Sequence, residues 1–218
     1  DLVRQSAQLR FRPVIEVGEP GTITPALLEA FLQQQSGEEI APIDPNAPIP
    51  SRAEIEEAAF AKADRNGDGV LSDQPDTTPA HNSDPAWFTE QIEYNFWTID
   101  CLDPANLAGG DDYDPAAPAV ACQNDGFAKF VLGPADLEGT DLTQASSGPR
   151  TTAQGAVTNQ WAVFMTFNSN GATIFRDVTS RLMTLPSPQN QFAVVLDGLV
   201  ISAPSVDARL LLAKRVRI

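Results

Sequence analysis

The chain is poor in residues that do chemistry. It has 1 histidine, 2 cysteines and 2 methionines in 218 residues. His81 stands alone in a loop rich in Thr, Asn and Ser, the setting of a solvated side chain. With no second histidine and no His–Cys spacing, nothing supports a zinc site. No G-x-S-x-G and no P-loop pattern is present. A glycosidase needs two carboxylates across a cleft, which an acid-rich composition alone does not define. We therefore expect no catalytic residues and no enzyme.

Long apolar runs are missing as well. No segment approaches the ~20 apolar residues that span a bilayer. No signal-peptide pattern opens the chain, which starts at Asp1-Leu2-Val3-Arg4 and reads as part of a longer protein.

Positive charge is scarce. Lys and Arg number 14 against 29 Asp and Glu, a formal net charge of −15. Nucleic acid is excluded as a partner, because phosphates need lysine and arginine to neutralise them. The deficit is local: residues 13–128 hold 22 acids with only Arg52, Lys62 and Arg65 as bases, while the rest holds 11 bases and 7 acids. The acidic block reads as a separate unit set into a chain of different character. It suits an extracellular surface or a cation site, with simple solubility as the plain alternative.

Cys101 and Cys122 are an even pair with a polar loop between them. They point to a disulfide in an oxidising compartment, against two separate buried thiols. Closing a loop of roughly 20 residues contributes about 3 kcal/mol in the chain-entropy model.

Leu9–Val14 alternates as a strand. Thr24-Pro25 opens a helix to about Gln35, and the proline-rich 36–50 is a loop. Ser51-Arg52-Ala53-Glu54 is a capping box that starts a helix to about Ala63. Asp84-Pro85 starts another, with Phe88, Ile92 and Phe96 on one face and Trp87, Tyr94 and Trp97 as packing aromatics. Asp103–Ala121 is a loop. From Phe127 the texture becomes mixed. Phe127–Leu132 and Trp161–Phe167 are strands. Asn168–Gly171 caps a helix whose face carries Ala172, Phe175, Thr179 and Leu182. Asp197-Gly198 between two apolar runs is a hairpin turn. Together these give an α+β fold, a sheet with a helix packed on it.

One stretch has ion chemistry. In 64–73, DRNGDGVLSD, Asp64, Asn66 and Asp68 take the first, third and fifth positions of a calcium loop, Gly69 makes the sharp turn, and Val70 offers its carbonyl. The twelfth position is Pro75 instead of Glu. The pattern D-x-N-x-D-G-x-x-x-D resembles shortened calcium loops of bacterial extracellular proteins, which makes Asp73 the first choice for the closing carboxylate and Asp76 the second. The plain alternative is a surface turn with no ion. We expect a structural Ca2+.

Three stretches carry a family resemblance: Leu132–Leu142 (LGPADLEGTDL), Trp161–Asn168 (WAVFMTFN) and Gln191–Val206 (QFAVVLDGLVISAPSV). With the opening Leu2–Val14, they resemble the SecD family of protein-export membrane subunits, which work with SecF. The hairpin L-D-G-x-V-x-S-A-P is the most specific mark. The cysteine pair and the proline-rich loop are similar to those of actinobacterial members.

The resemblance implies the large extracytoplasmic domain of a cell-membrane protein. It would comprise a partial ferredoxin-like base at 1–14, an acidic, mainly helical insertion at 15–126, an α+β head region at 127–206 and a divergent tail at 207–218. It also implies contact with emerging, unfolded preprotein, coupling of export to the proton-motive force, and SecF and the SecYEG channel as partners. A Gly-Leu-Asp-Leu-type segment that precedes this region in the family does not occur here, which leaves the base incomplete. The acidic insertion by itself suggests a second reading, a calcium-dependent extracellular binding or adhesion module.

Overall fold

The computed structural model describes residues 8–23, 50–110, 113–151, 157–206 and 216–217. The helix expected over 24–35, the loop over 36–49 and most of the 207–218 tail lie outside the described residues.

The strands are β1 (Leu9–Gly18), β2 (Ala119–Cys122), β3 (Lys129–Leu132), β4 (Leu137–Glu138), β5 (Leu142–Thr151), β6 (Val157–Phe167), β7 (Phe192–Leu196), β8 (Leu199–Ser202) and β9 (Val216–Arg217). The helices are α1 (Arg52–Ala63), α2 (Glu90–Thr98) and α3 (Ser169–Leu182). The larger sheet runs β2-β3-β1-β7-β8, with β4 also on β1, and a second sheet runs β5-β6-β9. All strand pairs are antiparallel. The fold is α+β, as the sequence pattern implies.

β1 is the spine. Its first half pairs β7 and β4, and its second half pairs β3, with an irregularity between Val14 and Glu16. Such a bulge bends a strand and increases its twist. A parallel bridge from Gln123 to Val200, with Asn124 N–H donating to the Val200 carbonyl at 3.0 Å, brings the two ends of the sheet together. Val14, Ala121, Phe130, Leu132, Ala193, Val195 and Val200 fill the curl. A second apolar layer joins Phe11, Leu137 and Phe192 to Phe175, Val178 and Leu182 of α3. A third seats Ile92 and Phe96 of α2 on Ile15, Val120 and Val131.

The sheet draws on both sides of the boundaries expected from sequence. Ile15–Gly18 and Ala119–Cys122, assigned to the acidic insertion, are sheet strands paired with β3. β2 is missed as a strand because AVAC is small and short; it is buried residue by residue.

The Ser51 cap forms as expected, with reciprocal bonds to Glu54. The helix expected from Asp84 is broken. Asp84 caps a single 3-10 turn, Pro85–Trp87, and Thr89 then caps α2. Phe88 still meets Phe96 edge to face, with ring centroids 6.0 Å apart. On α3, Phe175, Thr179 and Leu182 are buried as expected but Ala172 is exposed. Gly171 takes its place, because a Cβ there would lie 2.8 Å from the Asp141 Cβ. The 197–198 hairpin joins β7 to β8, with positive φ at Asp197 (48°) and Gly198 (84°), as a tight hairpin turn demands.

Candidate functional site

The Asp64–Asp76 loop leaves the end of α1 and folds on itself. The Asp64 carboxylate accepts from Gly67 N–H at 2.9 Å and Gly69 N–H at 3.0 Å. Asn66 accepts from Asp68 N–H, and Asp68 from Val70 N–H, both at 2.8 Å. Gly67 and Gly69 have φ of 71° and 80°, which L side chains rarely adopt. Asp73 accepts from the Gln74 amide at 3.0 Å, and Asp76 pairs with Arg65 at 2.8 Å. Sequence reading missed the residue that closes the loop backbone. Glu90, buried at the start of α2, accepts from Arg65 N–H and Ser72 N–H, each at 3.0 Å. Its signal was an acid in the first turn of the helix after the loop. The donor types suit a hard cation. Among the described residues no three Asp, Glu, His or Cys side chains converge as a metal-binding group.

The insertion is locked to the sheet by three buried polar contacts. Asp136 sits beside Arg181 of α3 (3.1 Å) and the Asn82 amide (3.1 Å), and Arg181 also donates to Ser83 at 2.9 Å. Ser83 in turn meets His81 Nδ1 at 3.0 Å, so the one histidine serves this seam. Burial raises the Asp136 pKa, with Arg181 opposing. Gly133 is required here because a Cβ would run into the Asn82 carbonyl.

Arg12 forms the second contact, fully buried, donating to the carbonyls of Asp114, Ala117 and Gly133.

Lys129 forms the third. It is buried, donates to the Gly21 carbonyl at 2.7 Å, and lies 4.9 Å and 5.7 Å from the ring centres of Phe96 and Trp97. Burial holds its pKa down to about 8, against Asp100, which raises it. The folded value lies below the ordinary 10.5, so between about pH 8 and 10.5 the unfolded chain binds more protons and stability rises with pH. The gain is about 2 kcal/mol, allowing for relaxation around the ammonium. Chemical denaturation across that window should show the rise in the parent and lose it in Lys129→Met. An unchanged rise in the variant would contradict the assignment.

The second sheet offers a different surface. Among the described residues β5 pairs only β6, and its other edge has no strand partner. Thr143, Gln144, Ala145 and Ser146 are exposed, and none carries a charge. Pro149, further along β5, removes one N–H from the strand, a device that blunts an edge. The stretch before it has neither proline nor charge, and a register irregularity between Leu142 and Gln144 marks its start. An open edge can take an extended chain through main-chain hydrogen bonds, whatever its sequence.

Comparison with known proteins extends the resemblance. The family model of the SecDF P1 head subdomain matches residues 119–218, through the tail read as divergent. Protein translocase subunit SecD of Streptomyces coelicolor is 36% identical over 127 residues, 56% of this chain and 21% of that protein. The SecD of Mycobacterium tuberculosis is 29% identical over 119 residues, 55% of this chain and 19% of that protein. The chain thus spans about a fifth of the length of these relatives. A crystal structure of SecDF in a super-membrane-facing form is 20% identical and covers 97% of this chain and 16% of that one, at a TM-score of 0.34, an overlay too loose to carry an argument. None of these similarities favours the adhesion-module reading. Family model, actinobacterial relatives and the 132–142 and 191–206 stretches agree: residues 119–218 match the P1 head subdomain of SecDF, and the chain is similar to part of the SecD subunits of protein translocases.

Proposed function

We propose that this domain is the part of a SecD-type subunit that holds unfolded preprotein on the extracytoplasmic side of the cell membrane, without catalysis. The observation that carries the reading is the uncharged 143–146 stretch of the β5 edge, which has no strand partner among the described residues and lies inside the segment matched to the P1 head. A backbone-directed edge suits a machine that must accept many sequences. In the full-length protein, SecF and the SecYEG channel are the partners. The proton-motive force drives the domain between positions through the membrane part. Among the described residues no helix is long and apolar enough to cross a membrane.

The test is photocrosslinking in the full-length protein during export. A crosslinker at Gln144 should capture the translocating chain, and one at exposed Asp177 on α3 should capture it far less. Equal capture, or none at Gln144, would refute the edge as the contact.

We propose a structural role for calcium at Asp64, Asn66, Asp68 and the Val70 carbonyl, closed by Asp73. The loop course supports this, with its positive-φ glycines and its Asp64 backbone bonds. A site of ~10⁻⁴ M affinity would be filled in the extracellular medium. Binding to the native state alone stabilises it by mass action. Excess chelator at physiological ionic strength should therefore lower Tm by a few degrees, and Asp64→Ala should abolish the response. An identical Tm with and without chelator would count against the ion.

A further inference from the structure

Among the described residues, four large apolar side chains are exposed: Val70, Leu102, Phe127 and Ile201. Leu102 and Phe127 belong to segments that touch. Gly126 stands against the Cys101 carbonyl, and a Cβ there would lie 3.0 Å from that oxygen and 3.3 Å from Leu107 Cδ1. The Cys101–Cys122 disulfide fixes both segments, because Gln123 N–H donates to the Ala128 carbonyl just beyond Phe127. Ile201 follows Val200, whose carbonyl accepts from Asn124 N–H at 3.0 Å.

Each of the two central side chains is held out the same way. Leu102 N–H donates to the Asp100 carboxylate at 3.0 Å, and Phe127 N–H to the Asp125 carboxylate at 3.1 Å. They remain 64% and 78% exposed, so this order is not supported by burial. An ordered, exposed apolar pair lowers the entropy cost of binding.

The rim is acidic, with Glu19, Asp100, Asp103 and Asp125 on the adjoining segments. Two cations approach it and are outnumbered by these four acids: Arg52 donates to the Thr98 carbonyl, and Asp100 lies close enough to Lys129 to raise its pKa. Arg52 pairs with Glu56, Lys62 with Glu93, Arg65 with Asp76, and Lys129 is buried. An anionic lipid surface would be repelled. The complementary ligand has large apolar side chains flanked by lysine or arginine.

We propose that the Leu102–Phe127 tip is a second polypeptide contact, selective for apolar segments with adjoining positive charge. This rests on the reading that the domain meets unfolded preprotein, and it adds a preference that the β5 edge lacks. The patch is small, so binding is weak and transient.

The test uses this domain and three unstructured peptides, Leu-rich at the centre and flanked by Lys, by Glu or by Ser. In NMR titration the Lys-flanked peptide should shift the Leu102 and Phe127 resonances. Its affinity should fall about tenfold in Phe127→Ser, the value of one large apolar contact. It should also fall severalfold in Asp103→Asn/Asp125→Asn, which keeps the turns, and in raised salt. Phe127 is exposed, so the variant should fold as the parent does, checked by circular dichroism. Equal binding of the three peptides, unchanged binding in Phe127→Ser, self-association of the domain through Phe127, or binding to anionic vesicles at this tip would each overturn the proposal. Phe127→Ser should leave crosslinking at Gln144 intact, so failure here is separable from failure of the edge.

Discussion

Arg12→Ala should destabilise the domain by about 4 kcal/mol, the scale of breaking a buried, charged hydrogen-bond centre. The guanidinium is fully buried in β1 and bonds three carbonyls: Asp114 and Ala117 at 2.7 Å and Gly133 at 3.0 Å. Burial first, then the neighbouring Arg10 charge, holds its pKa down to about 10, so it remains charged at neutral pH. Backbone dipoles, not a touching carboxylate, solvate that charge. Truncation strands three carbonyls and frees the 113–118 segment, to which Arg10 is also bonded at Tyr113. Arg12→Lys should recover less than half of the loss, because one ammonium cannot span the fork that serves both sides. Urea denaturation reads both variants. A cost below about 1 kcal/mol for Arg12→Ala would show that the carbonyls find other donors.

Reduction of Cys101–Cys122 is the second large effect, about 3 kcal/mol for a loop of this length. The two residues are 21 apart in sequence, with Cα atoms 5.5 Å apart. Cys101 follows α2 and its N–H donates to the Pro20 carbonyl at 2.8 Å, while Cys122 ends β2 at the rim of the larger sheet. Opening the bond frees 102–118 and β2. Hydrogen exchange should quicken there and in the adjoining turn, while β7 and β8 stay protected. Uniform loss across both regions would contradict this. Arg12 and the disulfide restrain the same segment, so Arg12→Ala in the reduced protein should cost less than the sum of the two effects, as coupled sites do.

These two restraints also show what could be read from the sequence. The disulfide was legible from an even cysteine pair around a polar loop, and the 197–198 hairpin from an Asp-Gly between apolar runs. Both are local signals. Arg12 was not legible. In LRFRPV it occupies the polar face of an alternating strand, and only the return of residues 114–117 over that face buries it. Lys129 was hidden for the same reason. FAKFVL reads as a half-exposed strand until α2 lays Phe96 and Trp97 over the ammonium. β5 escaped notice because LTQASSGPRT lacks alternation; it is a strand through its pairing with β6 and not through its own side chains. In the 64–76 loop, sequence spacing picked out the acids but not Glu90, which lies 18 residues beyond Ser72 and meets it only in the fold. Locally encoded features were readable, and those made by distant segments were not.

The acidic insertion is therefore not a free appendage. Asp136, Arg12 and Lys129 each join it to the body of the larger sheet.

The central claim is that an extended chain pairs with β5. Its most direct measurement is amide hydrogen exchange of the domain with and without an unfolded precursor polypeptide. The account predicts slowed exchange in Leu142–Ser146 on addition of the chain, with little change in α3. Unchanged exchange in Leu142–Ser146 while the polypeptide is bound would contradict it.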